Sequence, residues 1–259
     1  MDVRVKRAAV TGAAAGLGRE LAVELSQRGV AVALIDIDGK GLGETEKLLA
    51  QAALPHLAIS VDLTGDDAAP QTISRIEREW GGLDILINNA GYGRIEPFLQ
   101  MTASLWQKTL AINVTALAMM TVAAGDLMKR QGAGRIINLT SPASRMALPN
   151  YAAYAASKAG VDSITRASAI ALAPFGVTVN SVAPGMMDTE MQRSTEADLA
   201  RFEGRDDLQA FLDERTRRVP IGRRAEIAEV AAAVLWLALD APTYITAERL
   251  NASGGLDKD

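Results

Sequence analysis

Short runs of β-branched and aliphatic residues alternate along the chain with longer stretches in which apolar side chains recur every three or four positions. Strand followed by amphipathic helix, repeated, predicts a parallel sheet covered by helices on both faces. Strands are expected at Ala8–Thr11, Val30–Asp36, Leu57–Val61, Ile85–Asn88, Arg135–Leu139, Val177–Val182 and Arg249–Ala252. Helices are expected at Leu17–Arg28, Gly43–Ala52, Asp67–Trp80, Thr102–Arg130, Ala152–Leu172 and Ala225–Leu239. The expected fold class is α/β, a doubly wound parallel sheet of about seven strands in one domain covering residues 1–259. Asp188–Val219 breaks the pattern: polar, charged, with scattered Met, Phe and Leu, it is too long for an ordinary connection and reads as a lid over a substrate.

Composition narrows the function. The net charge is −4, with no basic excess to hold a phosphate backbone, so nucleic acid is not an expected partner. The longest uninterrupted apolar run, Val230–Leu239, is about half of what a bilayer span needs, so no membrane segment is expected. Residues Met1–Arg7 alternate charge with valine and lack the apolar stretch of a signal peptide, which points to the cytoplasm. There is no cysteine, and the single histidine, His56, precedes the third strand and reads as structural, so neither a disulfide nor a catalytic metal is expected.

Where the first strand ends and the first helix begins stands Thr11-Gly12-Ala13-Ala14-Ala15-Gly16-Leu17-Gly18. Glycines at such a turn let the backbone approach a pyrophosphate, whose charge is stabilised by the unpaired N–H groups of the helix N-terminus. The spacing departs from GxGxxG, but the context is that of a Rossmann-like dinucleotide site. Asp36, at the end of the second strand, can accept hydrogen bonds from the adenosine ribose and would repel a 2′-phosphate. Asp38 is its rival, more suited to the following turn. Ile37 stands where an arginine would favour the phosphate, so the expected cofactor is NAD rather than NADP. Tyr154 and Lys158, four apart in a helical stretch, are neighbours on one face, where an ammonium would lower a phenol pKa toward the range of a general base. Alone, that pairing arises by chance in roughly one chain in ten of this composition.

Taken with Asp62-Leu63, Asn88-Asn89-Ala90-Gly91, Asn113, Ser141 and Pro184-Gly185 followed by Thr189, these motifs make the chain resemble a short-chain dehydrogenase/reductase of the compact type over nearly its whole length. The resemblance implies a catalytic tetrad of Asn113, Ser141, Tyr154 and Lys158. In it Tyr154 is the base, Ser141 bonds the reacting oxygen, Lys158 contacts the nicotinamide ribose and Asn113 orients a water. It also implies cofactor contacts from Thr11, Gly12, Gly16, Leu17, Gly18, Asp36, Ile37, Asp62, Leu63, Asn88, Ala90, Gly91, Pro184, Gly185 and Thr189, besides Tyr154 and Lys158, while Asn89 serves the sheet. Ser141 and Asn113 also have ordinary readings, as a turn cap and as a buried side chain bonding to backbone. Ser144, Ala225 and Ser253 depart from the family pattern, where glycine, glycine and aspartate are usual. A mostly apolar substrate pocket is expected from Tyr92, Arg94, Pro142, Met146, Tyr151, Met186 and Met187, with Met191 and Phe202 added by the lid. It suits a medium-sized secondary alcohol or ketone, and Arg94 and Arg145 are the candidates for an anionic group. The resemblance further implies a homotetramer built on the long helices around Thr102–Arg130 and Ala152–Leu172. An acyl-carrier-protein reductase and a non-catalytic nucleotide-binding protein are the rival readings.

Overall fold

The computed structural model describes residues 5–50 and 54–256. Seven parallel strands, β1 (Arg7–Thr11), β2 (Ala31–Asp36), β3 (His56–Ser60), β4 (Ile85–Asn88), β5 (Gly134–Leu139), β6 (Val177–Pro184) and β7 (Arg249–Ala252), lie in the order β3-β2-β1-β4-β5-β6-β7. The order reverses between β1 and β4, which opens a crevice outside their carboxyl ends. Both faces of the sheet are buried, which is why β1 and β2 read as near-continuous apolar runs rather than alternating ones.

One core joins Val10, Leu34 and Ile87 of the sheet to α1 (Gly16–Gln27) and α9 (Ile227–Leu235). The opposite face packs Ala9, Leu86 and Ile136 under α3 (Ala68–Trp80), α5 (Leu117–Gln131) and α6 (Ala152–Leu172). Strand register sets Asn88 beside Asn138. The Asn88 amide donates to Asn138 Oδ1 at 2.9 Å and to Thr121 at 3.0 Å, and Asn138 donates to Thr165 at 2.9 Å, a polar thread that locks β4, β5 and α6 together.

Two expected helices and the expected lid differ in detail. Where Gly43–Ala52 was expected, α2 is Gly39–Leu49: the Asp38 carboxylate accepts from the N–H groups of Lys40 and Gly41 and so starts the helix a turn earlier, while Ala52 lies outside the described residues. Within Thr102–Arg130 run α4 (Ala103–Leu110) and α5, joined without a break by a π-helical turn at Ala111–Ala116 that widens the helix around Asn113. By length and composition this 29-residue helix could cross a bilayer, a property that counting uninterrupted apolar residues misses; here its apolar face is buried on β4, β5 and α3. The segment 188–219 is no loop but two helices, α7 (Glu190–Phe202) and α8 (Leu208–Arg217), which enclose a small core of Ile95, Leu199, Ala200 and Phe211.

Candidate active site

At the crevice, the glycine turn is shaped by close approach. Gly12 has φ +70°, and a Cβ there would meet Asn89 Nδ2 at 2.8 Å; a Cβ on Gly18 would lie 1.9 Å from the Gly12 carbonyl oxygen. Gly16 needs its positive φ of +53°, while the space around it is open, with Thr189 Cγ2 the only atom near its would-be Cβ, at 3.9 Å. Asn89 donates to the carbonyls of Thr11 and Gly12, and Thr11 Oγ1 accepts from the N–H groups of Asn89 and Ala90, so the ends of β1 and β4 hold the turn rigid. Ala15, the N-cap of α1, supplies no capping side chain, which leaves the first-turn N–H groups facing the crevice. An anion fits there, and the cradle is that of a dinucleotide pyrophosphate.

A cleft of about 660 Å³ continues from the turn between Asp36, Ile37, Asp62 and Leu63 on one wall and Ala90, Gly91 and Tyr92 on the other. Asp36 Oδ2 accepts from the Ala14 N–H at 3.0 Å and Oδ1 from Asp38 N at 3.0 Å, which fixes the carboxylate at the cleft wall. Asp38 is spent on capping α2, so the choice of Asp36 over Asp38 has a structural basis. Asp62 accepts from the hydroxyl and N–H of Thr64, bonds that hold its pKa below the usual carboxylate value. Asn88, expected along the ribose, lines the cleft, while its side-chain amide donates into the polar thread of Thr121 and Asn138.

At the carboxyl ends of β4, β5 and β6 the four expected tetrad residues converge. Lys158, one turn after Tyr154 on α6, donates from Nζ to the Leu139 carbonyl at 2.8 Å, and its Nζ lies 5.7 Å from the Tyr154 ring centroid. Gly91, just past β4, lies against both groups: a Cβ there would sit 3.6 Å from Asn113 Oδ1 and 3.8 Å from Lys158 Nζ. Asn113 is buried: its amide clamps the Tyr92 backbone at both N–H and C=O, and its Nδ2 also donates to Ser157, which in turn donates to the Tyr154 carbonyl. Ser141 caps the turn after β5 through the Ala143 N–H at 3.2 Å, and its hydroxyl also bonds the Tyr154 phenol.

One expectation about this cluster is corrected. The protein environment raises the Tyr154 pKa rather than lowering it, because burial outweighs the Ser141 hydrogen bond. Lys158 does not offset this, since burial pushes its own pKa down to about 8, with the nearby Asp162 carboxylate pulling the other way. A sign follows for stability. Between pH 8 and 10.5 the unfolded chain binds the lysine proton and the folded one does not, so Lys158 penalises folding fully below pH 8 and progressively less above it. Relative to Lys158→Met, the wild type should therefore gain about 3 kcal/mol of unfolding free energy from pH 7 to 10.5. Denaturant titrations of both proteins across that range check it, and parallel pH curves would refute it.

Ser144 and Arg249 lie in an adjoining buried network. Ser144 donates to Asp162 at 2.7 Å, Arg249 pairs with Asp162 at 3.6 Å and also donates to the Ser141 carbonyl at 3.0 Å. The serine in place of a glycine thus ties the turn after Ser141 to α6.

Among the expected pocket residues, Pro142 is buried, Met146 exposed, Met187 packed against the core and Tyr92 held under the Lys108 ammonium at 4.6 Å. Phe202 packs on the small core of α7 and α8. Arg94 is exposed and ion-pairs with Asp198 at 3.4 Å. Met186 and Tyr151 instead meet a cation that sequence reading passed over, Arg215 of α8, whose Nη2 lies 3.9 Å from Met186 Sδ. Behind it Glu196 is 1% exposed and pairs with both Arg215 and Arg224. A buried carboxylate on an amphipathic, charge-rich helix carries no sequence signal to separate it from its solvated neighbours.

Comparison with known proteins agrees with this geometry. The family described as Enoyl-(Acyl carrier protein) reductase matches residues 12–257. The cis-4-hydroxycyclohexanecarboxylate dehydrogenase of Sinomonas cyclohexanicum is 34% identical over 249 residues, covering 96% of this chain and 95% of that protein. An NAD⁺-bound xylitol dehydrogenase superposes with a TM-score of 0.92 at 29% identity, covering 98% of this chain and 100% of the other. An actinorhodin polyketide ketoreductase with NADPH superposes with a TM-score of 0.93 at 31% identity, covering 98% of each chain. With the glycine turn, the strand order and Ser141, Tyr154 and Lys158 in place, the chain belongs to the short-chain dehydrogenase/reductase family of oxidoreductases acting on alcohol and ketone groups.

Proposed function

We propose that the protein transfers hydride between NAD(H) and a medium-sized secondary alcohol or its ketone. The observation that carries this reading is the convergence of Tyr154, Ser141 and Lys158 at the carboxyl ends of the strands beside the glycine turn. When bound, the nicotinamide supplies a hydride acceptor or donor. In oxidation, Tyr154 Oη takes the proton of the substrate hydroxyl, and Ser141 Oγ, already bonded to that phenol, holds the substrate oxygen in line with it. Lys158, held by the Leu139 carbonyl with its Nζ 5.7 Å from the Tyr154 ring centroid, would contact the nicotinamide ribose and stabilises the negative charge as the proton moves. Asn113 positions Tyr92 and, through Ser157, the backbone of Tyr154 itself. Helices α7 and α8 cover the substrate side and exclude water.

Asp36 beside the exposed Ile37 favours NAD over NADP. The rival, an acyl-carrier-protein reductase, draws support from the description of the matched family and from the NADPH carried by one structural relative. A panel of secondary alcohols, polyols, hydroxy acids (4-hydroxycyclohexanecarboxylate among them) and a 3-oxoacyl thioester, each assayed with both dinucleotides, separates the readings. NAD-linked turnover of a free alcohol is expected; turnover of the thioester alone, with NADPH, would replace the proposal, and a blank panel would overturn it.

A homotetramer is part of the proposal. Val122 on α5 is 63% exposed and Ile170 on α6 71% exposed, apolar positions on helices whose other faces already cover the sheet. Light scattering should give about four times the chain mass of 27.4 kDa, and a monomer at micromolar concentration would refute the assembly.

A further inference from the structure

The geometry points to a carboxylate-binding subsite at Arg215 and Tyr151, which makes the substrate a hydroxy acid or oxo acid. The inference rests on the oxidoreductase reading above and names its substrate class. Arg224 closes on Glu196 with both Nη atoms, at 2.9 and 3.0 Å, and so neutralises the buried carboxylate by itself. Arg215 adds only its Nε to Glu196 Oε1, at 3.1 Å. Its terminal nitrogens are turned the other way, toward Met186 Sδ and the Tyr151 phenol. The guanidinium also stacks over Phe211, 5.7 Å from the ring centroid, which fixes its plane.

Tyr151 supplies the second half of the subsite. Its hydroxyl is buried, and the Arg215 guanidinium turned toward it can only donate, so the phenol proton has no acceptor among the described residues, an arrangement that costs free energy unless a ligand accepts from it. It is the N-cap of α6, three residues and one helical turn before Tyr154, so a group bound at Tyr151 lies beside the proton-transfer site. Two donors of different kind, one carrying a charge that Glu196 does not need, meet between Met186 beyond β6 and the start of α6, and match a planar carboxylate. Glu203, at the end of α7, also acts on Tyr151 but is exposed and screened by water. Holding Arg215 is the work of Glu196 itself: burial would raise its pKa, yet bonds from Arg224, Gln192 and Arg215 keep it low and therefore charged.

The test compares 4-hydroxycyclohexanecarboxylate with its methyl ester in wild type, Arg215→Gln, Arg215→Lys and Tyr151→Phe, with thermal melting as a control for folding. Wild type should favour the acid by at least about tenfold in kcat/KM. Arg215→Gln should abolish that preference through KM while ester turnover stays within about twofold; Arg215→Lys should restore part of it, and Tyr151→Phe should weaken it. Equal use of acid and ester by wild type, or an equal loss for both in Arg215→Gln, would overturn the subsite. Calorimetric titration of cyclohexanecarboxylate into the NADH-saturated protein reads the subsite without turnover: saturable binding lost in Arg215→Gln supports it even if no alcohol is oxidised, and absence of binding to wild type overturns it. A protein that binds the acid but oxidises nothing would sink the oxidoreductase reading and leave the subsite standing.

Discussion

Tyr154→Phe is expected to lower kcat by at least about a hundredfold while leaving dinucleotide affinity close to that of wild type, as measured by calorimetry or by quenching of protein fluorescence. The substitution removes one oxygen, the one that Ser141 bonds and that faces the substrate position, and leaves the ring that packs against Lys158. Nothing in the glycine turn or the Asp36 wall contacts that oxygen, so binding and chemistry separate cleanly. Burial holds the phenol above its ordinary value, so the oxidation rate should rise as pH increases through the alkaline range. Lys158 is a cation below pH 8 and neutral above it, so Lys158→Met should lower the oxidation rate below pH 8 and leave the alkaline limb where it is. A Phe variant that turns over near the wild-type rate would remove Tyr154 from the mechanism, and an unchanged rate below pH 8 in Lys158→Met would dissolve the pairing.

What could be read in advance follows from the range of the forces involved. The sheet was legible because its inner strands, buried on both faces, are rich in aliphatic and β-branched residues, and the expected strands agree within two residues with β1, β2, β3 and β6 as formed. The glycine turn was legible because only glycine tolerates the approach of Gly18 to the Gly12 carbonyl. Helix geometry around Asn113 was not, since a π turn changes register without changing residue type. Nor was the direction of the Tyr154 pKa, where a local rule, cation beside phenol, loses to the desolvation imposed by residues distant in sequence. Arg215 was missed for a related reason. Its role depends on Glu196 and Arg224, residues 19 and 9 positions away, being folded onto the same spot as Tyr151 and Met186.

Exchanging Asp36→Ala together with Ile37→Arg is expected to shift the preference ratio from NAD toward NADP by roughly 30 to 1000-fold, or about 2 to 4 kcal/mol. A unit charge pair about 4 Å apart at an effective dielectric near 20 is worth roughly 4 kcal/mol, and the open side of the cleft reduces that. Ile37 is 67% exposed, so an arginine there meets no packing penalty and can reach across the cleft mouth. Losing Asp36 also loses the bond from the Ala14 N–H, about 1 kcal/mol, but this loosens the turn for both dinucleotides alike and cancels in the ratio. Asp36→Ala alone should relax discrimination without reversing it, since the repulsion goes and no donor arrives; the arginine supplies that donor. Catalytic efficiencies with both cofactors, measured for the wild type, each single variant and the pair, decide the matter. A wild type that already prefers NADP would show that Asp36 does not exclude the 2′-phosphate, and that its carboxylate serves the Ala14 and Asp38 N–H groups alone.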